Sequence, residues 1–173
     1  MAICFSVSGL SYSCQTNIGG IKSAYITNFE NVQSYTANTE GTIVGITMSA
    51  GSQFHEFQFN SNTGSITEEL ASDRINGTSF FTTTTNLVFN RREAAKRDKL
   101  LVLTNAQPRL VCIVKDSNNL YWIQGLDEGA YVVSNTTGSG VQKADANNYQ
   151  IAIESQQAEM VPEVDSAVVA GII

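Results

Sequence analysis

The run Thr78 to Phe89, Thr-Ser-Phe-Phe-Thr-Thr-Thr-Thr-Asn-Leu-Val-Phe, is almost wholly β-branched or aromatic. Side chains branched at Cβ are crowded against the preceding turn of a helix but pack well on a pleated surface, so this segment reads as one long strand, with room for a bend at its middle. A strand of that length needs partners, and the chain supplies them. Ile21 to Phe29 is β-prone through Ile, Tyr, Thr and Phe, with Gly19-Gly20 as a turn before it and Asn28 to Gln33 as a connection after it. Thr42 to Met48 is another strand. Gln53 to Asn60 alternates with period two, placing His55, Phe57 and Phe59 on one face and Phe54, Glu56 and Gln58 on the other, and Ser49 to Ser52 is short enough to join these two runs as a hairpin. Leu110 to Lys115 and Leu120 to Gln124 flank Asp116-Ser-Asn-Asn119, a hairpin signature, and Gly129 to Ser134 and Asn148 to Glu154 follow. The opening Met1 to Gly20 carries Ile3, Phe5, Val7, Leu10 and Tyr12 and reads as a short strand before the turn.

One helix interrupts this pattern. Asn90 followed three residues later by Glu93 makes a variant capping box, which predicts a helix over about 90–104, with Ala94, Ala95, Leu100, Leu101 and Leu103 on its apolar side. Pro108 prevents its return. Ser61 to Gly77, with Glu68, Glu69 and Asn76-Gly77, reads as a long polar connection, and loops of that length tend to make contacts. After Pro162 the chain runs Val-Asp-Ser-Ala-Val-Val-Ala-Gly-Ile-Ile, an apolar ending costly to leave in water, so it should dock on its own domain or on another subunit. The expected fold is therefore mainly β: a β-sandwich or rolled barrel of antiparallel strands in a single domain over 1–173, with one flanking helix, an N-terminal segment 1–20 and a C-terminal arm 161–173.

Charge and rare residues narrow the chemistry. Ten basic against sixteen acidic residues give a net charge of −6, which argues against a basic groove for nucleic acid. Arg91, Arg92, Lys96, Arg97 and Lys99 nevertheless hold half of all basic residues. The plain reading of that cluster is a solvated helix face; the competing one is pairing with acidic loops of a neighbouring copy. Cys4, Cys14 and Cys112 show no C-x-x-C spacing, so neither a zinc knuckle nor a disulfide framework is encoded, and reduced thiols are expected. The only histidine is His55, so nucleophilic catalysis would need a pocket joining it to Cys14 or Cys112. Gly138-Ser139-Gly140 lacks the Lys-Ser or Lys-Thr of a phosphate loop and is a turn. Asn76-Gly-Thr and Asn135-Thr-Thr match the glycosylation acceptor pattern by chance in Asn- and Thr-rich loops. Asp116, Asp127, Glu128 and Asp145 fit no calcium loop and read as turn residues. Tyr121 and Trp122, adjacent on a strand, face opposite sides, so at most one lines any surface. No apolar stretch is long enough to span a membrane, and Met1 to Gly9 lacks the pattern of a signal peptide. No catalytic, cofactor or metal residue is assigned.

In the order of its features the chain resembles the tube- and ring-forming structural proteins of tailed bacteriophages, which are similar in fold to the tube proteins of contractile injection systems. The resemblance rests on Thr42 to Met48 with Phe54 to Phe59, the loop 61–77, and Thr78 to Phe89 running into Arg91-Arg-Glu-Ala-Ala-Lys-Arg-Asp. It also takes in the hairpin Val111 to Gly125 and the ending Asn147-Asn-Tyr-Gln-Ile-Ala-Ile-Glu-Ser, and so spans about Gly20 to Val161. It implies a non-enzymatic virion protein, a tail tube subunit whose rings of six copies stack into a conduit through which DNA passes as non-specific cargo. The loop 61–77 would then reach an adjacent subunit or ring. The implied partners are further copies and other tail or connector proteins; the implied location is the virion tail, after assembly in the host bacterial cytoplasm. Residues expected at inter-subunit contacts are Glu68, Glu69 and Asp73, meeting Arg91, Arg92, Lys96 and Lys99 of a neighbour, with Val168, Val169 and Ile172 of the apolar ending. A capsid decoration, fibre-base or head-to-tail connector protein is the alternative within the same class. A carbohydrate-binding β-sandwich using Trp122 or Tyr121 with Asp127 is the alternative outside it.

Overall fold

The computed structural model describes residues 9–12 and 14–173. The strand expected within Met1 to Gly20 falls partly on residues outside that range, and residues 9–12 and 14–20 form no strand. In chain order the elements are β1 (Ile21–Asn28), a 3-10 turn (Phe29–Asn31), β2 (Val32–Ala37), β3 (Ile43–Met48), β4 (His55–Phe57), β5 (Ser65–Asp73), β6 (Thr78–Asn90), α1 (Ala94–Asn105), β7 (Leu110–Asp116), β8 (Tyr121–Gln124), β9 (Tyr131–Gly138), β10 (Asn148–Gln157), β11 (Glu163–Val164) and α2 (Ser166–Ile172).

Two sheets carry the architecture, consistent with the expected β-sandwich. The larger has seven strands in the order β2-β3-β11-β8-β7-β1-β4, and the smaller has four in the order β5-β6-β10-β9. Pairing is antiparallel except for the short parallel contact of β11 with β3 at Val164 and Ile43. β7 shows why the larger sheet holds together. Leu110, Cys112 and Val114 point into a core shared with the small sheet, while Val111 and Ile113 point into a second core on the opposite face, and all five are fully buried. A continuous apolar run is the pattern of a strand covered on both faces. In β6 the alternation is single-sided, with Thr83, Thr85, Leu87 and Phe89 inward and Thr82, Thr84, Asn86 and Val88 less buried. Tyr121 and Trp122 divide as alternation requires, Trp122 packing against the first core and Tyr121 against the second.

Several expectations are corrected. Thr42–Met48 and Phe54–Phe59 do not form a hairpin, because β3 and β4 lie toward opposite ends of the seven-stranded sheet, β3 against β2 and β4 against β1. The alternation of 53–60 yields only the three-residue β4. Its two-faced pattern still places Phe54 in the second core and Phe57 and Phe59 against the first. Asn28 to Gln33 is not a plain connection: it folds into the 3-10 turn and enters β2. Segment 61–77 is not a loop, since nine of its residues form β5, which pairs along its whole length with β6 in an antiparallel hairpin.

The helix starts later than its cap signature suggests. Asn90 is still in register with Asn148 on β10, and its backbone and side-chain oxygens accept from Lys96 Nζ at 2.7 and 3.2 Å. Strand pairing thus claims Asn90, and Glu93 takes the cap position without a side-chain cap bond. Of the helix's apolar residues only Leu100 is buried, and Leu101 faces solvent. A second helix closes the chain. Asp165 caps α2 by accepting from Ala167 N–H at 2.9 Å, and Val169 enters the second core with Val168 and Ile172 packed beside it. The apolar ending thus docks on its own fold.

Candidate functional site

Of the charged residues expected at inter-subunit contacts, Asp73 and the basic segment sit at opposite ends of the long strand β6, with Glu68 and Glu69 midway along its partner β5. Asp73 is in register with Thr78 at the start of β6, whereas Arg91 and Arg92 follow its last residue, Asn90. Twelve residue steps at about 3.3 Å each put Asp73 about 40 Å from the basic segment, and Glu68 and Glu69, in register with Thr83 and Thr82, lie about 25 Å from it, so none of these acids reaches it within one chain. Among the described residues the ion pairs that do form are local or elsewhere: Lys96 with Glu93 at 2.7 Å, Arg97 with Asp98 at 3.1 Å and Arg109 with Glu30 at 3.3 Å. Lys96 is thus engaged inside its own chain, while Arg91, Arg92 and Lys99 are exposed.

The three acids differ in setting. Glu69 is exposed on the outward face of β5. Asp73 closes the hairpin turn by accepting from Ile75 N–H at 2.8 Å and from Asn76, bonds that hold its carboxyl below the ordinary aspartate range. Glu68 is different, because its register with Thr83 turns it toward the interior. It accepts from Val161 N–H at 3.4 Å, and partial burial pushes its pKa up against the lowering effect of that bond.

The carboxylates near the C-terminal sheet are turn-formers. Asp116 accepts from Asn118 N–H at 2.8 Å, Leu120 N–H at 2.9 Å and the Trp122 indole at 3.2 Å. Asp145 accepts from Val141 and Gln142 N–H, both at 2.7 Å. Asp127 accepts from the Tyr35 hydroxyl at 3.0 Å, which raises the phenol's pKa. Among the described residues no group of three or more His, Cys, Asp or Glu side chains is placed to hold a metal ion. Likewise, no helix there is long and apolar enough to cross a membrane.

A groove of about 750 Å³ lies between α1 and the β4 edge of the seven-stranded sheet. Ile26, Phe57, Phe89, Leu100 and Leu103 give it apolar walls; His55, Glu56, Lys96, Lys99 and Val102 stand at its rim. His55 therefore does border a pocket, but neither Cys14 nor Cys112 lines it. Cys112 is buried in the first core, where desolvation pushes its thiol up to about 12 and leaves it protonated and inert at neutral pH. The groove went unread in the sequence. Its signal is Leu100-Leu101-Val102-Leu103, four consecutive apolar residues that cannot all occupy one face of a helix turning 100° per residue. Leu100 and Leu103 pack inward, while Leu101 is 40% and Val102 65% exposed.

No family model, curated protein or solved structure matches the chain.

Proposed function

We propose that the chain is a non-enzymatic, self-assembling virion structural protein, a tail tube subunit whose copies close into rings and stack into a conduit for DNA. The observation that carries this reading is the separation of opposite charge along β5 and β6. Asp73 lies at the tip of the hairpin and Glu69 midway along β5, while Arg91, Arg92 and Lys99 lie beyond the far end of β6, and among the described residues none of these is in an ion pair. Such ends complement each other only between copies placed head to tail, the arrangement that generates rings and stacks. The outer edges of β5 and β9, which pair with no further strand among the described residues, give those copies strand edges to cover. A net charge of −6 per subunit suits a channel that passes DNA without holding it. Capsid decoration or a connector ring would use the same surfaces. The carbohydrate reading finds less support: the Trp122 indole N–H is committed to Asp116 and its ring packs against the first core, Tyr121 packs against the second, and Asp127 accepts from the Tyr35 hydroxyl.

Negative-stain electron microscopy of the purified chain across a concentration series tests the reading. Rings or hollow tubes with a central hole are expected. Uniform monomers at every concentration, with or without added salt, refute it.

A further inference from the structure

We infer that the segment preceding β1 is a donor strand that docks into the α1–β4 groove of a second copy. This deepens the reading above and rests on its self-association, though not on tube formation. The argument starts from direction. β1 and β7 pair antiparallel from Ile21 with Asp116 to Asn28 with Leu110. The segment leaves at the Ile21 end, held there by Ile18 N–H on Asn118 Oδ1 at 2.9 Å, Asn118 Nδ2 on Asn17 Oδ1 at 3.0 Å and Ser117 N–H on Gly20 O at 3.0 Å. The groove opens at the other end, beside Asn28 and Leu110. Seven steps of strand at about 3.3 Å put root and groove about 23 Å apart. Those bonds hold residues 17–20 against the β7–β8 turn, at the end of β1 remote from the groove.

In the segment before β1, Leu10 is 102% and Tyr12 93% exposed, so their apolar surface is uncovered among the described residues. Residues 1–20 contain no Asp, Glu, Lys or Arg, and Ile3, Phe5 and Val7 repeat at the strand period, as do Leu10 and Tyr12. A neutral, alternating segment is the chemistry the groove accepts. β4 is an edge strand with one side free of a partner strand among those described, so an added strand can extend the ladder. Alternate side chains then enter the apolar trough, and Lys99 and Glu56 at the rim stay in water. Because donor and acceptor lie at opposite ends of the same two strands, the contact is head to tail. It closes into a ring or runs on as a filament according to the rotation per copy.

The test uses two surface variants of the full chain, Leu10→Asp/Tyr12→Asp in the donor and Val102→Asp at the groove rim, each with its melting curve checked against the parent. Sedimentation velocity across a concentration series should show the parent associating and each variant associating at least tenfold more weakly. Mixing the two variants should give one-to-one dimers that grow no further, since the Val102→Asp copy keeps a working donor and the other keeps a working groove. A monomeric parent, variants that associate like the parent, or a mixture that stays monomeric each overturn the inference. Rings from the parent and both variants alike would overturn the donor strand and leave the tube reading standing. Open, donor-dependent chains without rings would do the reverse.

Discussion

Replacing Gln124 with methionine removes the polar side chain that joins the two sheets through their shared core. Gln124 is fully buried on β8; its Nε2 donates to Thr83 O at 2.8 Å and Ile153 O at 3.2 Å, on β6 and β10 of the opposite sheet. Its Oε1 accepts from the Thr85 hydroxyl at 2.7 Å, and Thr85 is fully buried as well. Methionine is unbranched and of similar length, so the loss is chiefly one of hydrogen bonds rather than volume. An orphaned buried hydroxyl costs about 1–3 kcal/mol and each of the two carbonyl bonds contributes about 1 kcal/mol, giving a loss of about 4 kcal/mol. In a chain of this size that lowers Tm by roughly 8–16 °C. Thr85→Val in the Gln124→Met background removes the orphan while keeping the shape, and should recover about 1–2 kcal/mol. Urea unfolding of the parent, both single variants and the double variant, with m compared across all four, measures this coupling. A Gln124→Met loss below 1 kcal/mol, or a Thr85→Val effect equal in both backgrounds, would refute the assignment of inter-sheet adhesion to this network.

Thr83 Oγ1 and Ser155 Oγ, on directly paired positions of β6 and β10, are buried without a protein partner. Thr83→Val should therefore raise stability by about 1 kcal/mol, and a drop in the unfolding midpoint would show that this hydroxyl is satisfied in solution. Glu68 should make stability depend on pH. Its folded pKa lies above the ordinary 4.5, so its contribution is fully present below that value and is lost as pH rises through the raised one. Glu68→Gln keeps an acceptor for Val161 and should gain stability relative to the parent from pH 4 to 7; a difference that is flat with pH in matched unfolding curves would contradict this. Gly125 has φ +85°, and an added Cβ would lie 2.7 Å from Leu110 O and 2.9 Å from Ala130 N. Gly125→Ala should cost about 3 kcal/mol by chemical denaturation, and a loss under 1 kcal/mol would mean the β8–β9 corner relaxes freely.

What the sequence disclosed followed how much burial each segment undergoes. β7, covered on both faces, reads as an uninterrupted apolar run, and the Asp116 to Asn119 turn is recognisable because Asp116 accepts from backbone N–H groups within the turn itself. Pairing partners are another matter. β3 and β4 are close in sequence and joined by a turn-like Ser49 to Ser52, yet β3 takes β2 and β4 takes β1. Local periodicity specifies that a strand has an apolar face; it carries no information about which of several similar edges that strand will meet. Asn90 shows the same competition in a helix cap, since its register with Asn148 on β10 outranks a capping pattern that is correct residue by residue.

β5 was hidden for a further reason, and the reason bears on function. An edge strand needs little apolar surface, and charge on it discourages uncontrolled pairing with other chains. Ser65 to Asp73 therefore looks like a polar connection, with Ile66 and Leu70 as its only large apolar residues, and Glu68 faces inward between them. Leu70 remains 59% exposed and Phe80, on the neighbouring strand, 36%. A hairpin that keeps acids and exposed apolar side chains on the same free edge is guarded against indiscriminate association while still offering contact area to a partner whose basic residues match its spacing. The groove beside α1 follows the same logic in reverse: an apolar trough with Lys96, Lys99 and Glu56 at its rim presents charge of both signs there, and the uncharged segment before β1 meets repulsion from neither. Selectivity between copies would then arise from what each surface rejects as much as from what it binds.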